Sequence, residues 1–570
     1  MIHGYTAAQI RAAEQPLLAA GRPLMQHAAF ALAGVVAGEL AGRRGAVAGS
    51  TAVLLVGSGN NGGDTLHAGA LLATRGVRVL ALCTTDRPHA EGLAALTRAG
   101  GRAVLVVDGL DLDPDPAATG ADRGAGGAPG GARDAALDTD AATEGADLDP
   151  DTAARGAGRH DAHPAPLPRL WAGDAAAEAA TADVLLDGLL GIGGRGAPRG
   201  VAGVLTTVLA QTLADGGDGP LVVAVDVPSG IGVDDGALPT DGTVLPADLT
   251  VTFGGVKAGL LLPPASGLAG TVRPVELGLG LDAGAAAVIR LEPADVAALW
   301  PVPGPGDHKY TRGVLGVVAG TATYPGAAVL TVQAAARAGV GMIRYQGPDR
   351  VVDAVLAARP EVVHGPGRVQ AWLLGPGVDP ADRDQADRVR AALARALAAG
   401  EPAVLDAGVL ALLPDRVAPW CVLTPHAGEL ATLLSGRGAH VDRAAVESEP
   451  VRWARRAQEL TGGTVLLKGS TTVIAGPQGV CYAQADAPGW LATAGAGDVL
   501  SGLLGALLAG RAEEVVADPS SAAALAAVAA LVHGRAADRA NPGGPVTAGA
   551  VAEAIAATVA GLLTEEDEDA

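Results

Sequence analysis

The sequence predicts an α/β protein of two tandem three-layer α/β/α domains, on three observations. Short β-branched runs alternate with Ala- and Leu-rich stretches of helical length along most of the chain, the pattern of parallel sheets covered on both faces. The run Pro301-Val302-Pro303-Gly304-Pro305-Gly306 interrupts that alternation, because prolines remove backbone donors and hold the chain extended. The length, 570 residues, also exceeds one domain at roughly 100–200 residues each. Hydrophobic residues make up 49 %, yet there are only 6 Trp, 5 Tyr and 2 Phe against 83 Gly. Ala, Val, Leu and Gly must fill the interior, which suits closely packed α/β layers better than an aromatic-rich sandwich.

Taken in order, the strand candidates before the break are Ala52–Val56, Arg78–Leu82, Ala103–Val107, Val184–Leu186, Leu221–Val225 and Leu249–Phe253. Those after it are Gly313–Val318, Ala371–Leu374, Ala403–Leu405, Cys421–Leu423, Thr464–Leu467 and Thr472–Ala475. The domains are placed at 1–285 and 286–570, with the proline-rich run read as a linker. Residues 109–175 stand apart, with 13 acidic residues, 5 arginines and almost no large apolar side chains. Such a segment cannot offset the entropy of ordering, so disorder is expected there and in the acidic tail 564–570.

Of the net charge of −21, these two stretches carry −13, leaving an ordinary value on the folded parts. No basic stripe is offered to nucleic acid. Cys83, Cys421 and Cys481 cannot build a disulfide framework and lack metal-binding spacing, which points to a reducing compartment. Polar residues Tyr5, Arg11 and Glu14 interrupt the N-terminus, so no signal peptide is expected. Apolar runs such as Ala522–Val532 are too short to span a bilayer. A cytoplasmic protein without membrane or nucleic-acid partners is expected, as a homo-oligomer.

After Ala52–Val56 comes Gly57-Ser58-Gly59-Asn60-Asn61-Gly62-Gly63-Asp64. Gly57, Gly59 and Gly62 fit G-x-G-x-x-G in a strand–turn–helix setting, a pattern that unliganded glycine turns also match. The amides and carboxylate that follow are less ordinary, since they put polar acceptors where phosphates or a cation would sit. Asp187 and Asp226 each end a strand; the first leads into Gly191-Ile192-Gly193-Gly194-Arg195-Gly196-Ala197 and the second into Val227-Pro228-Ser229-Gly230. Loops at the carboxyl ends of parallel strands line the ligand crevice, so Asn61, Asp187 and Ser229 can converge on a hard cation. Glycine-loop amides suit a phosphate. Asp226 reads either as a general acid/base or as a turn aspartate before Pro228. Lys257 reads either as a phosphate partner or as a solvated surface lysine.

These motifs, with Tyr5–Gln9, Glu14, Leu24-Met25 and Phe253–Lys257, resemble the NAD(P)H-hydrate epimerase family over roughly 1–280. The resemblance implies a Rossmann-like fold in which Asn61, Asp187 and Ser229 hold potassium. It also implies that Asn60, Asn61, Gly62, Gly63 and Asp64, the loop Gly191–Ala197 (Gly191, Ile192, Gly193, Gly194, Arg195, Gly196, Ala197) and Asp226 contact the hydrated nicotinamide nucleotide. Thr65 departs from the family's usual Gly and is expected to narrow the crevice.

In the second half, Thr493-Ala494-Gly495-Ala496-Gly497-Asp498 precedes an apolar helix. Free N–H groups at such a helix start form an anion hole, with Asp498 at its mouth. A helix start whose Asp merely favours the dipole remains the plainer alternative. No P-loop sequence is present. The ordered motifs His308-Lys309, Tyr324–Ala328, Gly375-Pro376-Gly377, Thr424–Leu430, Lys468–Thr472 and Gly489–Gly502 make 289–563 similar to the NAD(P)H-hydrate dehydratases of the ribokinase-like fold. By that resemblance Lys468, Gly469, Ser470, Thr471, Thr472, Gly495, Ala496 and Gly497 hold the adenine nucleotide. Gly326, Ala327, Ala328, Gly377, His426 and Asp498 face the hydrate. Asp498 is then the base for phosphorylation of the C6 hydroxyl; ADP is the implied donor and Mg²⁺ bridges its phosphates. Two competing readings are a small-molecule kinase fused to a nucleotide-binding regulatory domain, and a first half that only binds.

Overall fold

The computed structural model describes residues 1–108, 166–214 and 219–564. Every strand expected from the β-branched runs is present, within one or two residues at either end. In the first half they form an eight-stranded, all-parallel sheet with spatial order 271–275, 249–253, 221–225, 184–188, 51–56, 78–83, 102–107 and 169–171. Helices Leu24–Arg44, Asn60–Thr74 and Ala90–Arg98 bury Leu32, Val36, Leu66 and Leu96 on one face. Helices Ala172–Ala180 and Gly200–Ala214 cover the other, with Ala175, Ala179, Leu205 and Leu209 buried. The order reverses at 51–56, which lies between 78–83 and 184–188. A ligand crevice belongs at that switch point.

The second half carries a twelve-stranded sheet. From 363–364 through 342–346, 314–318, 371–374, 403–405 and 421–423 to 464–467 it is parallel. It continues antiparallel through 472–475 and 481–484. Helices Pro325–Arg337, Ala496–Gly510, Ser520–Ala540 and Ala548–Thr564 pack one face, and Arg383–Ala399, Ala427–Ser435 and Pro450–Thr461 the other.

Four expectations need correction. The segment taken as disordered to residue 175 is ordered from 166: Arg169–Trp171 adds a strand beside 102–107, and Ala172 and Ala175 are buried. Small alanines sufficed to bury a helix there. The rest of that segment and 565–570 lie outside the described residues, whereas Thr564 closes a helix. Nor is Pro301–Gly306 the junction, because Val296 and Trp300 before it are already buried in the second half's core. Finally, Leu24–Arg44 and Ser520–Ala540 are long and apolar enough to cross a membrane by length and composition. In the fold both serve as core helices: 83 % of the apolar stretch of the second is buried, and 44 % of the first.

The halves are not simply consecutive. Strand Ile2–Tyr5 lies between Val288–Arg290, antiparallel, and Val256–Lys257, parallel, so the second sheet ends on a strand from the first half. Val288–Arg290 in turn pairs with 481–484. Ser266 and Thr471 meet through their hydroxyls at 3.3 Å.

Candidate functional site

At the carboxyl ends of the first sheet a cavity of about 550 Å³ is walled by Asn60, Asn61, Asp64, the loop Leu189–Gly194, Asp226, Phe253 and Lys257, with Arg11, Glu14 and Met25 from the two N-terminal helices. The turn after 51–56 is close-packed: a Cβ on Gly62 would lie 2.3 Å from the Gly57 carbonyl oxygen. That contact is open only to glycine.

Asn61, Asp187 and Ser229 are all buried and come together as expected. The Ser229 hydroxyl donates to Asp187 Oδ1 at 2.6 Å and its N–H to Oδ2 at 2.9 Å. Leu190 joins them, its N–H donating to Ser229 Oγ at 2.8 Å and its carbonyl accepting from Asn61 Nδ2 at 2.9 Å. Burial raises the Asp187 carboxyl above its ordinary range, against the hydrogen bonds from Ser229 and Leu189. No cationic side chain pairs with it among the described residues. A buried carboxylate with only neutral donors, beside amide and hydroxyl oxygens, is chemically suited to a hard monovalent cation.

Asp226 sits at φ +69°, a strained left-handed position for a non-glycine residue. Strain of this kind clusters at functional sites. Its Oδ1 accepts from the Lys257 ammonium and from Phe253 N–H at 3.1 Å. Lys257 is therefore neither a solvated lysine nor a free phosphate partner: it is 1 % exposed and held by Asp226 and by the Phe253 carbonyl at 2.7 Å. Its strand is fixed by Ile2–Tyr5, with Tyr5 opposite Lys257. Thr65 does not narrow the crevice either, being buried and donating to the Asn61 carbonyl at 2.7 Å. Arg195, Gly196 and Ala197 lie beyond the cavity wall, and Gly62 and Gly63 serve close packing rather than lining it.

In the second half, Gly495 at φ +87° caps the helix Ala496–Gly510, a conformation that favours glycine. Lys468 Nζ donates to Asp406 Oδ1 at 2.9 Å and lies 3.8 Å from Glu429. A Cβ on Gly497 would come within 3.4 Å of that nitrogen, so the lysine reaches the helix start. Burial works against the ammonium of Lys468, but Asp406 and Glu429 outweigh it and hold its pKa up. Asp498 is pushed to about 6, first by burial and then by Asp406, with Lys468 opposing. Ala327 meets Gly377, where a Cβ would be 2.6 Å from that of Ala327, while Gly326 faces open space. Ala328 faces the core instead, with no exposed side chain.

His426 caps the helix Ala427–Ser435, its Nδ1 accepting from Gly428 N–H at 3.1 Å and Glu429 N–H at 3.2 Å. It remains exposed beside the Lys468 loop. Gly469 and Ser470 are open, while Thr471 is buried against Ser266 and Thr472 starts a strand. Sequence reasoning missed Asp406, which is buried, holds Lys468 and accepts from Ser501 Oγ at 2.6 Å. The signal was there: Asp406 ends the strand Ala403–Leu405, as Asp226 ends 221–225. Among the described residues no group of three His, Cys, Asp or Glu is placed to hold a metal.

Comparison with known proteins matches both halves. A family model described as NAD(P)H-hydrate dehydratase fits residues 315–556. A second, described as YjeF-related protein N-terminus, fits 21–106 and 159–259. A bifunctional NAD(P)H-hydrate repair enzyme of Mycobacterium tuberculosis is 40 % identical over 525 residues, covering 89 % of each chain. An NAD(P)H-hydrate epimerase of Clavibacter michiganensis is 38 % identical over 294 residues, half of this chain and 95 % of that one. A solved ADP/ATP-dependent NAD(P)H-hydrate dehydratase of Bacillus subtilis, co-crystallised with ATP and Mg²⁺, is 26 % identical. It covers 48 % of this chain and 99 % of its own, at a TM-score of 0.42.

Proposed function

The chain belongs to the bifunctional NAD(P)H-hydrate repair enzymes, an epimerase half joined to a dehydratase half, and from that premise we propose how its residues divide the work. The observation that carries the reading is the pairing of one buried carboxylate cavity with one anion hole, each at the carboxyl ends of its own sheet.

In the first half, Asn60, Asn61 and the loop 191–194 bind the hydrated nicotinamide nucleotide, R or S, and Asp226 moves a proton at C6. Asn61, Asp187 and Ser229 would hold potassium, which when bound supplies positive charge beside the substrate's phosphates. In the second half the adenine nucleotide lies over Lys468–Thr472 and Gly495–Gly497, with ADP as phosphoryl donor. Mg²⁺ would come with the phosphates, since no dedicated protein ligand set is found among the described residues. Asp498 takes the C6 hydroxyl proton as the oxygen is phosphorylated, and AMP leaves. Loss of phosphate from C6 with a proton from C5 then restores the ring double bond of NADH or NADPH. Hydroxide is a poor leaving group and phosphate a good one, which is why the nucleotide is needed. The protein works in the cytoplasm, as a homo-oligomer.

The test is recovery of reduced-nicotinamide absorbance from mixed R and S hydrates. Full recovery with ADP, and none without it, is expected. A phosphoester that accumulates with no recovered absorbance would instead mark a kinase. An Asp187→Ala protein is expected to lose most of its epimerisation and its response to potassium, with dehydration of pure S hydrate unchanged. Wild-type epimerisation with wild-type cation dependence in that variant would remove the cation site.

A further inference from the structure

The epimerase cavity holds three carboxylates and one ammonium, and the ammonium serves only one of them. Lys257 is committed to Asp226. Glu14, on the helix Ala7–Ala19, and Asp64, on the helix Asn60–Thr74, line the same cavity. Among the described residues the Asp64 side chain forms no ion pair or hydrogen bond, and its Oδ1 is enclosed without a partner. Buried polar atoms are almost always satisfied, so an orphan carboxyl oxygen in a ligand cavity marks a group whose partner is the ligand. Asp64 also lies more than one turn inside its helix, past the stretch where free N–H groups and the dipole would favour an anion.

We propose that Asp64 is the proton donor of the epimerisation, working against Asp226, which Lys257 holds, as the base; this rests on the epimerase reading of the first half. The Asp64 carboxyl gives its proton to the C6 hydroxyl. The C6–O bond breaks as the ring nitrogen lone pair forms a C6=N1 iminium, and water departs. Water then adds to the opposite face of C6, the iminium electron pair returns to nitrogen, and the released proton goes to Asp226. Exchange of a proton with solvent resets both carboxyls, so nothing but water is exchanged.

The electrostatics agree with the geometry. Burial first, then the charges of Asp226 and Glu14, push the Asp64 carboxyl to about 8, with Lys257 opposing. Glu14 is itself raised by burial, with Lys257 and Arg11 lowering it and Asp226 raising it. At neutral pH Asp64 therefore keeps its proton while Asp226 has its cation. A carboxyl kept protonated by its surroundings, facing one held by a lysine, suits an acid opposite a base.

The experiment follows epimerisation of pure R hydrate by the full chain from pH 6 to 9.5, with dehydration of pure S hydrate measured on the same preparations. Wild-type kcat for epimerisation is expected to fall as pH rises through about 8, as the donor is lost. Asp64→Asn keeps the shape but cannot donate as an acid, so kcat should drop about 10²-fold or more, without that alkaline limb and with KM little changed. Asp64→Glu should restore part of the rate and the limb. If Asp64→Asn retains more than a tenth of wild-type kcat, keeps the limb, or raises KM alone, the residue only binds and the proposal is overturned. Loss of rate in both variants with a lowered unfolding temperature would also overturn it, in favour of a structural role. A wild-type chain that dehydrates S hydrate but never epimerises R hydrate would instead defeat the epimerase reading itself.

Discussion

Replacing Asp498 by Asn is expected to lower dehydration of the S hydrate by about 10²–10⁴, the usual loss when a general base is removed. The amide keeps the size of the carboxylate at the helix mouth but takes no proton. ADP affinity should change little, because the anion hole is backbone N–H from Gly495 to Gly497 and Lys468 is held by Asp406 rather than by Asp498. Wild-type dehydration should also fall as pH drops through about 6, where Asp498 becomes protonated. The sign follows from the role: a base works only when ionised, so activity is present above that pH and lost below it. In Asp498→Asn that acid limb should vanish along with the rate. Epimerisation, in the other sheet, should be unaffected. Dehydration above a tenth of wild type would leave Asp498 a structural residue, and joint loss of both activities would overturn the separation of the sites.

How far the sequence disclosed this arrangement depends on where a residue sits in its sheet. Central strands such as Leu221–Val225 and Ala371–Leu374 are buried on both faces and read as unbroken apolar runs, the signature of parallel sheets. The strands that escaped notice, Ile2–Tyr5, Arg169–Trp171, Val256–Lys257, Thr271–Val275, Val288–Arg290, Met342–Gln346, Val363–His364 and Cys481–Gln484, have two to five residues each, and most lie at or near sheet edges. Their pairing comes from tertiary context rather than composition. Ile2–Tyr5 shows this best, since its partners lie some 250 and 285 residues along the chain.

The same distinction governs the sites. Asn61, Asp187 and Ser229 were legible because strand ends in parallel sheets face one crevice, and Asp406 was legible by the same rule without being recognised. Lys257 was not. Whether a lysine is solvated or buried depends on its partner, and Asp226 lies 31 positions away in a turn whose φ no composition discloses. Asp64 was read as a contact residue from its motif. Its isolation inside the cavity is a property of Glu14, Asp226 and Lys257 arriving from three other segments.

The Asp226–Lys257 pair also joins the epimerase cavity to the fold of the other half. Lys257 lies on the terminal strand of the twelve-stranded sheet, held there by Ile2–Tyr5. Replacing Lys257 by Met fills much the same volume but leaves Asp226 with only the Phe253 N–H and the Thr252 hydroxyl as donors. Breaking a buried ion pair by removing one partner costs about 3–5 kcal/mol, which denaturant unfolding of the full chain would read as a loss of that order. Without the ammonium, Asp226 loses the partner that fixes its carboxylate at the cavity wall, so it is no longer positioned to act as a base. Epimerisation should therefore fall by about 10² or more, while dehydration of S hydrate, served by Asp498 beside Asp406 and Lys468, should stay within about twofold of wild type. A Lys257→Met protein of unchanged stability and epimerisation rate would mean that Asp226 needs no cation, and its assignment as the base would fall with it.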